Sequence, residues 1–166
     1  MKKPDIPVTP AVRMLRGTDI GFTPHLYKFV EKGGTRHSSA ALGVPEHEVV
    51  KTIIMEAHQE GEPKKMLAVL MHGDYEVSTK QMARLLGVKT INTASPAEVE
   101  KATGYLPGGV SPFGTRTSLP IYIEETILDL DRIFINGGKR GFLVEINPWD
   151  IEKALPLIPL KVGIKP

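Results

Sequence analysis

The segment VVKTIIM, residues 49 to 55, decides the fold class because it is β-branched and almost entirely apolar. Such a run is typical of a strand that is buried in a sheet. A second apolar run, MLAVLM at residues 66 to 71, follows the polar turn EGEPKK and precedes a turn at Gly73 and Asp74. Lys51 is the charged residue that interrupts the first run, and it needs an explanation of its own.

Helix signals surround these strands. The tetrapeptides STKQ at residues 78 to 81 and SPAE at 95 to 98 match the capping box, which satisfies free N–H groups at the start of a helix. Thr9 and Pro10 predict a helix over residues 10 to 16 that stops at Gly17. Further predictions are a loop at 31 to 37, a helix closing at Gly43, strands at 25–30, 88–93, 119–124, 132–136 and 142–146, a turn or short helix at 126–131, and a last helix capped at Asn147. This pattern predicts an α/β fold with a mixed sheet, in a single domain over residues 1–166.

Composition narrows the class of protein. Hydrophobic residues make up 41% and charged residues 24% of the 166-residue chain, which is typical of a globular domain rather than a disordered or membrane protein. The N-terminus MKKPDIPVTP has no apolar stretch behind its lysines, so no signal peptide is predicted and a cytoplasmic location is expected. The net charge of +2 does not favour wrapping of long nucleic acid, so DNA is not an expected partner.

Several kinds of site lack support in the sequence. The absence of cysteine excludes disulfides, a thiol nucleophile and cysteine-ligated metals. The five histidines show no i,i+4 pairing, and neither a GxGxxG nor a GxxxxGK[ST] motif is present. We therefore expect no metal and no cofactor.

Lys51 and two glycine-rich loops remain as candidate functional elements. A lysine within an apolar strand either reaches solvent along the sheet surface or points its ammonium into a pocket, and periodicity leaves both open. The loops TGYLPGGVSPFGTR, residues 103 to 116, and NGGKRG, residues 136 to 141, either make tight turns or bring bare backbone close to a ligand. Arg116, Lys139 and Arg140 beside them favour a ligand that bears a phosphate or a carbonyl.

The order and spacing of VVKTIIM and these two loops closely resemble the YbaK/EbsC family of prolyl-tRNA-editing-type aminoacyl-tRNA deacylases, from about Pro10 to about Ile158. The resemblance implies a mixed, barrel-like sheet flanked by helices and hydrolysis of the ester of a mischarged tRNA. It also implies that Lys51 is the essential catalytic residue, that the loop from Gly108 to Pro112 lines the amino-acid pocket, and that Tyr27 lies near the terminal adenosine. The full set of substrate-binding residues expected from it is Tyr27, Thr52, Gly108, Gly109, Ser111, Pro112, Gly114, Gly137, Gly138 and Leu143.

One position departs from the family pattern. The cysteine-clearing branch typically has an aspartate where this chain has Leu143, so specificity for cysteine does not transfer directly. Strand alternation places Leu143 and Glu145 on one face and Phe142, Val144 and Ile146 on the other. If Leu143 faces the pocket, an apolar wall has replaced an acid.

Three functional hypotheses follow. The first is a trans-editing hydrolase that clears Cys, or Ala or Ser, from tRNA-Pro; a lyase-type route, in which the thiol of the substrate attacks the ester, is implied by resemblance alone. The second is a non-catalytic module that binds aminoacyl-tRNA or a nucleotide and acts through a synthetase. The third is a small-molecule ester or phosphate enzyme. The expected partners are the 3′ terminus of aminoacyl-tRNA and, transiently, prolyl-tRNA synthetase.

Overall fold

A branched mixed sheet around β2 (Val49–His58) organises the chain in a computed structural model that describes residues 5 to 166. Its other strands are β1 (Thr23–Leu26), β3 (Lys65–His72), β5 (Thr90–Thr93), β6 (Ile121–Glu124), β7 (Ile133–Lys139), β8 (Phe142–Ile146) and β9 (Leu157–Leu160), while β4 (Glu76–Val77) pairs separately with β10 (Gly163–Ile164). The helices are α1 (Pro10–Gly17), α2 (Gly34–Leu42), α3 (Thr79–Leu86) and α4 (Pro96–Thr103), with 3-10 helices at Glu46–Glu48, Glu125–Asp129 and Pro148–Lys153. Lys2 and Lys3, on which the signal-peptide prediction depends, lie outside the described residues.

The strands of the large sheet pair in an order that differs from their order along the chain. The order is β1-β8-β7-β2-β3-β6-β9, with β5 paired to β2 off this path. The pairs β2–β7, β3–β6 and β6–β9 are parallel and the others are antiparallel, so the predicted mixed sheet with flanking helices is confirmed. No helix in residues 5–166 is long and apolar enough to cross a membrane.

One edge of β2 is shared by two other strands. Val49 and Val50 pair with β7, and Met55 to His58 pair with β5. Between these pairings, residues 51 to 54 have no strand partner on that side in the described chain, although Ile54 O accepts a hydrogen bond from Ala94 N at 3.0 Å. The sheet therefore opens beside residues 51 to 53.

The two faces of β2 contribute to two cores. Val50 and Ile54 pack in the main apolar cluster, whereas Met55 and Ala57 pack in a second cluster beneath α3. Since side chains alternate along a strand, Lys51 lies on the face of the second cluster and Thr52 on the face of the main one. Both residues occupy the point where the sheet opens.

The helix starts were predicted correctly where a polar side chain caps them. Ser78 Oγ accepts a hydrogen bond from Gln81 N at 3.2 Å, and Ser95 Oγ accepts one from Glu98 N at 3.3 Å. The start of α2 was missed, because Gly33 precedes it without a side-chain cap and the helix begins inside the predicted loop at 31 to 37. The last predicted helix is a 3-10 helix, Pro148–Lys153.

The strand predicted over residues 25 to 30 is only partly present. β1 ends at Leu26, and the following residues leave the sheet. His37 Nε2 lies 2.7 Å from Lys28 O, so this segment is held toward α2 instead of continuing along β8. The second glycine-rich loop also differs, because β7 runs on to Lys139 with a register shift after Asn136. The loop is therefore part of a bulged hairpin.

A buried carboxylate holds the C-terminal strand against the sheet. Glu124 is 3% exposed, and its Oε2 accepts hydrogen bonds from Val162 N at 2.8 Å and Gly163 N at 2.6 Å. Loss of this acceptor would leave two backbone donors without their partner.

We expect Glu124→Ala to lower the free energy of unfolding by about 1–3 kcal/mol, because buried backbone donors then lose their hydrogen bonds. Denaturant unfolding of the wild type and the variant measures this. Glu125→Ala, at the exposed neighbouring position, is the control and should stay within about 0.5 kcal/mol of the wild type. Equal losses in both variants would contradict a specific role for the Glu124 carboxylate.

Candidate active site

A cavity of about 850 Å³ lies beside the opening in the sheet. Its size is within the usual range of about 300–1,000 Å³ for small-molecule sites. The wall is formed by the first residues of β2, the segment after β1, the start of α2, the first glycine-rich loop and the β7–β8 hairpin. Of the predicted site residues, Tyr27, Lys51, Thr52, Gly108 and Leu143 line this cavity.

Lys51 places a half-buried ammonium in the cavity wall. Its Nζ lies 3.4 Å from Gly73 O, a long contact that leaves other donors of the ammonium free for a ligand. Burial lowers the pKa of Lys51, and the nearby carboxylates of Glu76, Glu46 and Asp74 partly offset this effect. The second of the two sequence interpretations, a cation that points into a pocket, describes this position.

Gly73 supports Lys51 because the backbone approaches closely there. A Cβ on Gly73 would lie 2.7 Å from Val49 O and 2.8 Å from Glu46 O, so a side chain does not fit. Gly73 O is also 3.1 Å from Thr35 Oγ1, which lies 2.7 Å from Glu46 Oε2. The sequence identified a turn at Gly73 but not its contact with the lysine.

Two histidines, His47 and His72, stack on each other next to Gly73. The His47 and His72 rings are 3.7 Å apart at 7°, and His47 Nδ1 is 2.9 Å from Asp74 Oδ1. His72 donates from Nδ1 to His47 O at 2.8 Å, and its Nε2 accepts from Thr126 Oγ1 at 2.7 Å. Potential metal-ligand atoms of His47, His72 and Asp74 lie within 4.8 Å of one another, a grouping that the search for i,i+4 pairs could not reveal. Because both His72 nitrogens are already hydrogen-bonded and the rings are parallel, we assign no metal to this group.

Thr52 contributes an unpaired polar atom to the cavity wall. Its Oγ1 is buried and has no hydrogen-bond partner among the described residues. A buried hydroxyl without a partner is unfavourable, and such atoms in a cavity are candidates for contact with a ligand. Thr52 therefore lies in the cavity wall, and its role in substrate binding stays a prediction.

Tyr27 and Leu143 also line the cavity, and both belong to a small apolar cluster with Val49 at the start of β2. Burial raises the pKa of Tyr27, and a hydrogen bond with the backbone of Gly141 partly offsets this. Leu143 is 4% exposed and packs with Val49 and Phe134, apart from the main core. Phe142, Val144 and Ile146 lie in the main core, so the predicted alternation along β8 is confirmed and Leu143 faces the cavity.

Most of the predicted glycine-loop residues lie behind the cavity wall. Gly109 packs against the backbone of Lys139 and Arg140, and Gly114 packs against Pro10. Ser111 and Pro112 are buried, and Ser111 Oγ accepts a hydrogen bond from Phe113 N at 3.2 Å. These residues support the loop, and the structure does not place them on the surface of the cavity.

The second glycine pair also packs inward. Gly137 contacts the Phe142 ring, and Gly138 lies against Tyr105 and Thr9. From this hairpin, Asn136 and Arg140 line the cavity instead. The basic end of NGGKRG signalled Arg140 in the sequence, but no pattern distinguished Asn136 from an ordinary turn residue.

The charge of the cavity wall is mainly positive. Lys32, Lys51 and Arg140 are its cations, whereas Glu31, which is exposed, is the carboxylate among the lining residues. This arrangement can attract a phosphate and can stabilise negative charge on a carbonyl oxygen near Lys51. The carboxylates that act on Lys51, those of Glu46, Asp74 and Glu76, are not among the residues that line the cavity.

Residues 34–154 match the family model described as "Aminoacyl-tRNA editing domain". A protein named as a candidate Cys-tRNA(Pro)/Cys-tRNA(Cys) deacylase, EbsC of Enterococcus faecalis (strain ATCC 700802 / V583), is 26% identical over 141 residues, which cover 84% of each chain. A proline–tRNA ligase of Limosilactobacillus fermentum (strain NBRC 3956 / LMG 18251) is 28% identical over 125 residues, or 74% of this chain and 22% of the ligase.

Two solved structures have a similar fold. The hypothetical protein APE2540 matches with a TM-score of 0.83 and 24% identity, covering 94% of this chain and 100% of that protein. A candidate trans-editing enzyme for prolyl tRNA synthetase matches with a TM-score of 0.76 and 21% identity, covering 95% and 99% of the two chains. At these identities the likeness establishes the fold.

We expect Thr52→Val to leave the free energy of unfolding unchanged or to raise it by up to about 1 kcal/mol, because valine keeps the shape and removes an unpaired buried hydroxyl. Thr103→Val is the matched control. Thr103 Oγ1 donates to Val99 O at 2.7 Å and accepts from Tyr105 N at 3.0 Å, so its loss should cost about 1–3 kcal/mol. A Thr52→Val protein as unstable as Thr103→Val would show that the Thr52 hydroxyl is paired.

Stability is expected to fall as the pH drops from about 7 to about 5. Burial lowers the pKa of His72 below its ordinary value of 6.5, so the unfolded chain binds more protons in this window. The contribution of His72 is fully present above the unfolded pKa and is lost as the pH falls toward the folded pKa.

Denaturant unfolding at several pH values, for the wild type and His72→Gln, measures the effect. The slope of stability against pH should be shallower in the variant, which cannot titrate at this position. Parallel curves would rule out His72 as the responsible group.

Proposed function

Because the chain belongs to the aminoacyl-tRNA editing domain family, we propose that it is a trans-editing deacylase for mischarged tRNA-Pro, with Cys-tRNA(Pro) as the preferred substrate and Ala or Ser as further amino acids. The observation that carries the proposal is the half-buried Lys51 ammonium in the wall of a cavity also lined by backbone of the glycine-rich loop. When a positioned ester is attacked, negative charge develops on its carbonyl oxygen, and a nearby cation stabilises that charge.

The cavity wall supports binding of the 3′ end of a tRNA. Two of its cations, Lys32 and Lys51, can contact the phosphate backbone or the terminal ribose. The unpaired Thr52 hydroxyl can hydrogen-bond to the aminoacyl group, and Tyr27 supplies an aromatic surface beside it. Lys51 is the catalytic residue in this proposal, and Tyr27, Thr52, Gly108 and Leu143 bind the substrate.

The chemical step is acyl transfer away from the ribose. In hydrolysis, water attacks the ester carbon, the C–O bond to the ribose breaks, and the ribose oxygen takes up a proton. With cysteine as the amino acid, the thiolate of the substrate can attack the same carbon in place of water, which forms a C–S bond and releases the tRNA. In both routes Lys51 stabilises the negative charge on the carbonyl oxygen, so no protein nucleophile is required.

The apolar wall at Leu143 favours a small uncharged side chain. Leu143 packs with Val49 and Phe134 and leaves no acid at the position where the resemblance places an aspartate. Preference for cysteine is supported by the name of the 26% identical relative, and the wall is compatible with alanine and serine as well.

Selection of tRNA-Pro is assigned to a transient complex with prolyl-tRNA synthetase. The matching segment of the proline–tRNA ligase covers 22% of that enzyme, which suggests that a related domain can act beside a synthetase core. A net charge of +2 favours weak, salt-sensitive binding of tRNA by the free protein.

A second candidate is a non-catalytic module that binds the tRNA terminus or a nucleotide and acts through a synthetase. The observation that favours it is that the carboxylate among the lining residues of the described chain is the exposed Glu31, so the wall has no buried carboxylate to act as a general base. Such a module would keep the affinity of the cavity without the hydrolysis.

We expect Lys51→Ala to lower the rate of deacylation about 10²–10³-fold, which is the usual cost of removing one group that stabilises an oxyanion. The measurement compares release of Cys, Ala and Ser from charged tRNA-Pro by the wild type and the variant, with and without prolyl-tRNA synthetase. Lys65→Ala, which removes an exposed lysine of β3, is the control and should retain wild-type rates.

Clearance of one amino acid that depends on Lys51 would support the deacylase and identify the preference set by Leu143. A folded wild type that clears none of the three, even with the synthetase present, would contradict it. Binding of the same charged tRNAs without clearance would favour the module.

A further inference from the structure

Three separate segments meet at the mouth of the cavity around the side chain of Arg140. Its Nε donates a hydrogen bond to Pro107 O at 2.8 Å, and its guanidinium carbon lies 5.0 Å from the centre of the Phe29 ring. Arg140 thereby joins the first glycine-rich loop to the segment that follows β1. The residues lie 33 and 111 positions apart in the sequence, so only the tertiary fold brings them together.

Phe29 is enclosed between this arginine and the loop. A Cβ on Gly108 would lie 3.0 Å from the Phe29 ring, and Gly108 has a φ of +86°, which a residue with a side chain rarely adopts. The ring is therefore packed against the bare backbone of Gly108 and is covered by the guanidinium of Arg140. The ring is only partly buried by these contacts, and it also lines the cavity.

Asn136 makes a second connection to the same loop. Its Nδ2 donates to Gly108 O at 3.2 Å, and its Oδ1 accepts hydrogen bonds from Gly138 N at 2.6 Å and Lys139 N at 3.1 Å. The Asn136 side chain is thus fixed by the hairpin backbone through Oδ1 and bonded to the first glycine-rich loop through Nδ2. At the other end of the hairpin, Gly141 O accepts a hydrogen bond from Tyr27 N at 2.9 Å.

We propose that the hairpin turn at residues 136 to 141 is a clamp that fixes the distance between two walls of the cavity, with Arg140 as its main positioning residue. Arg140 acts through the Pro107–Gly108 backbone and the Phe29 ring and does not contact the reacting ester. The inward packing of Gly137 and Gly138 lets the hairpin lie close to the body of the protein, so that Asn136 and Arg140 reach the loop. The effect of the clamp on turnover rests on the proposed function, whereas its effect on the loop does not.

The exposed part of the loop is residues 106 to 108, whereas residues 109 to 113 are mostly buried and are held by the hydrogen bond that Tyr105 Oη donates to Phe113 O at 2.6 Å. Leu106 is 50% exposed, and within the loop Gly109 N donates to Leu106 O at 2.9 Å. A loop rich in glycine has many accessible conformations, and contacts that hold it reduce the entropy lost when a ligand binds. Loss of the clamp should therefore loosen the loop without unfolding the sheet.

Amide hydrogen exchange of the free protein tests the clamp without any substrate. We expect Arg140→Ala to speed exchange in residues 106 to 110 roughly threefold to tenfold, as suits the loss of one hydrogen bond and one exposed cation–π contact. Arg132→Ala is the matched control, because Arg132 lies 5.0 Å from the centre of the Phe134 ring but makes no hydrogen bond to the loop. Exchange in the loop should stay at the wild-type level in this control.

Kinetics then separate positioning from charge. If Arg140 served as a phosphate contact, Arg140→Lys would restore most of the activity lost in Arg140→Ala, and the salt dependence of tRNA binding would weaken in the alanine variant. As a positioning residue, its planar guanidinium is required, so both variants should lower kcat by a similar factor with little change in KM. Phe29→Leu should add little to the loss in Arg140→Ala, because the two side chains act as a unit.

Unchanged exchange at residues 106 to 110 in Arg140→Ala, or rescue of kcat by Arg140→Lys, would overturn the clamp. The exchange result stands even for a protein that clears no aminoacyl-tRNA. Failure of the deacylase proposal and failure of the clamp are therefore distinguishable.

Discussion

The fold depends on the way in which the edge of β2 is divided between two partners. Parallel pairing with β7 involves only Val49 and Val50, and antiparallel pairing with β5 begins at Met55. The residues between them can face a ligand because no neighbouring strand covers that side in the described chain. Lys51 and Thr52 lie in this interval. The gap between the two strand partners therefore both opens the sheet and leaves these two side chains at the opening.

The surroundings of Lys51 show how the fold holds a cation in a partly buried place. Burial lowers the pKa of the ammonium, while Glu46, Asp74 and Glu76 favour its charged form. Gly73 has no side chain, so its backbone can lie close to Val49 O and Glu46 O. In this position its carbonyl oxygen is 3.4 Å from the Lys51 ammonium. A cation kept in this way can stabilise negative charge on a substrate without a metal ligand or a protein nucleophile.

Glycines of the two loops contribute mainly through packing. Gly109 and the pair at Gly137 and Gly138 let backbone segments approach each other, and this brings Asn136 and Arg140 to the cavity mouth. The sequence predicted both loops as candidate functional elements, and from them the cavity wall contains Gly108, Asn136 and Arg140 but not Gly109, Gly137 or Gly138. A glycine in the sequence indicates that the backbone packs closely there, but it does not show whether the neighbour is a ligand or another part of the protein.

By itself the sequence determined the strands around VVKTIIM, the helices capped by Ser78 and Ser95, the mixed sheet and the place of Lys51 within an apolar strand. These features follow from local patterns of hydrophobicity and capping, which act over a few residues. The tertiary structure decided which loop residues face the cavity, the grouping of His47 with His72, and the hydrogen bond from Arg140 to Pro107 O. Those features depend on strand register and on contacts between distant segments, which fix the direction of each side chain and leave no local pattern in the sequence.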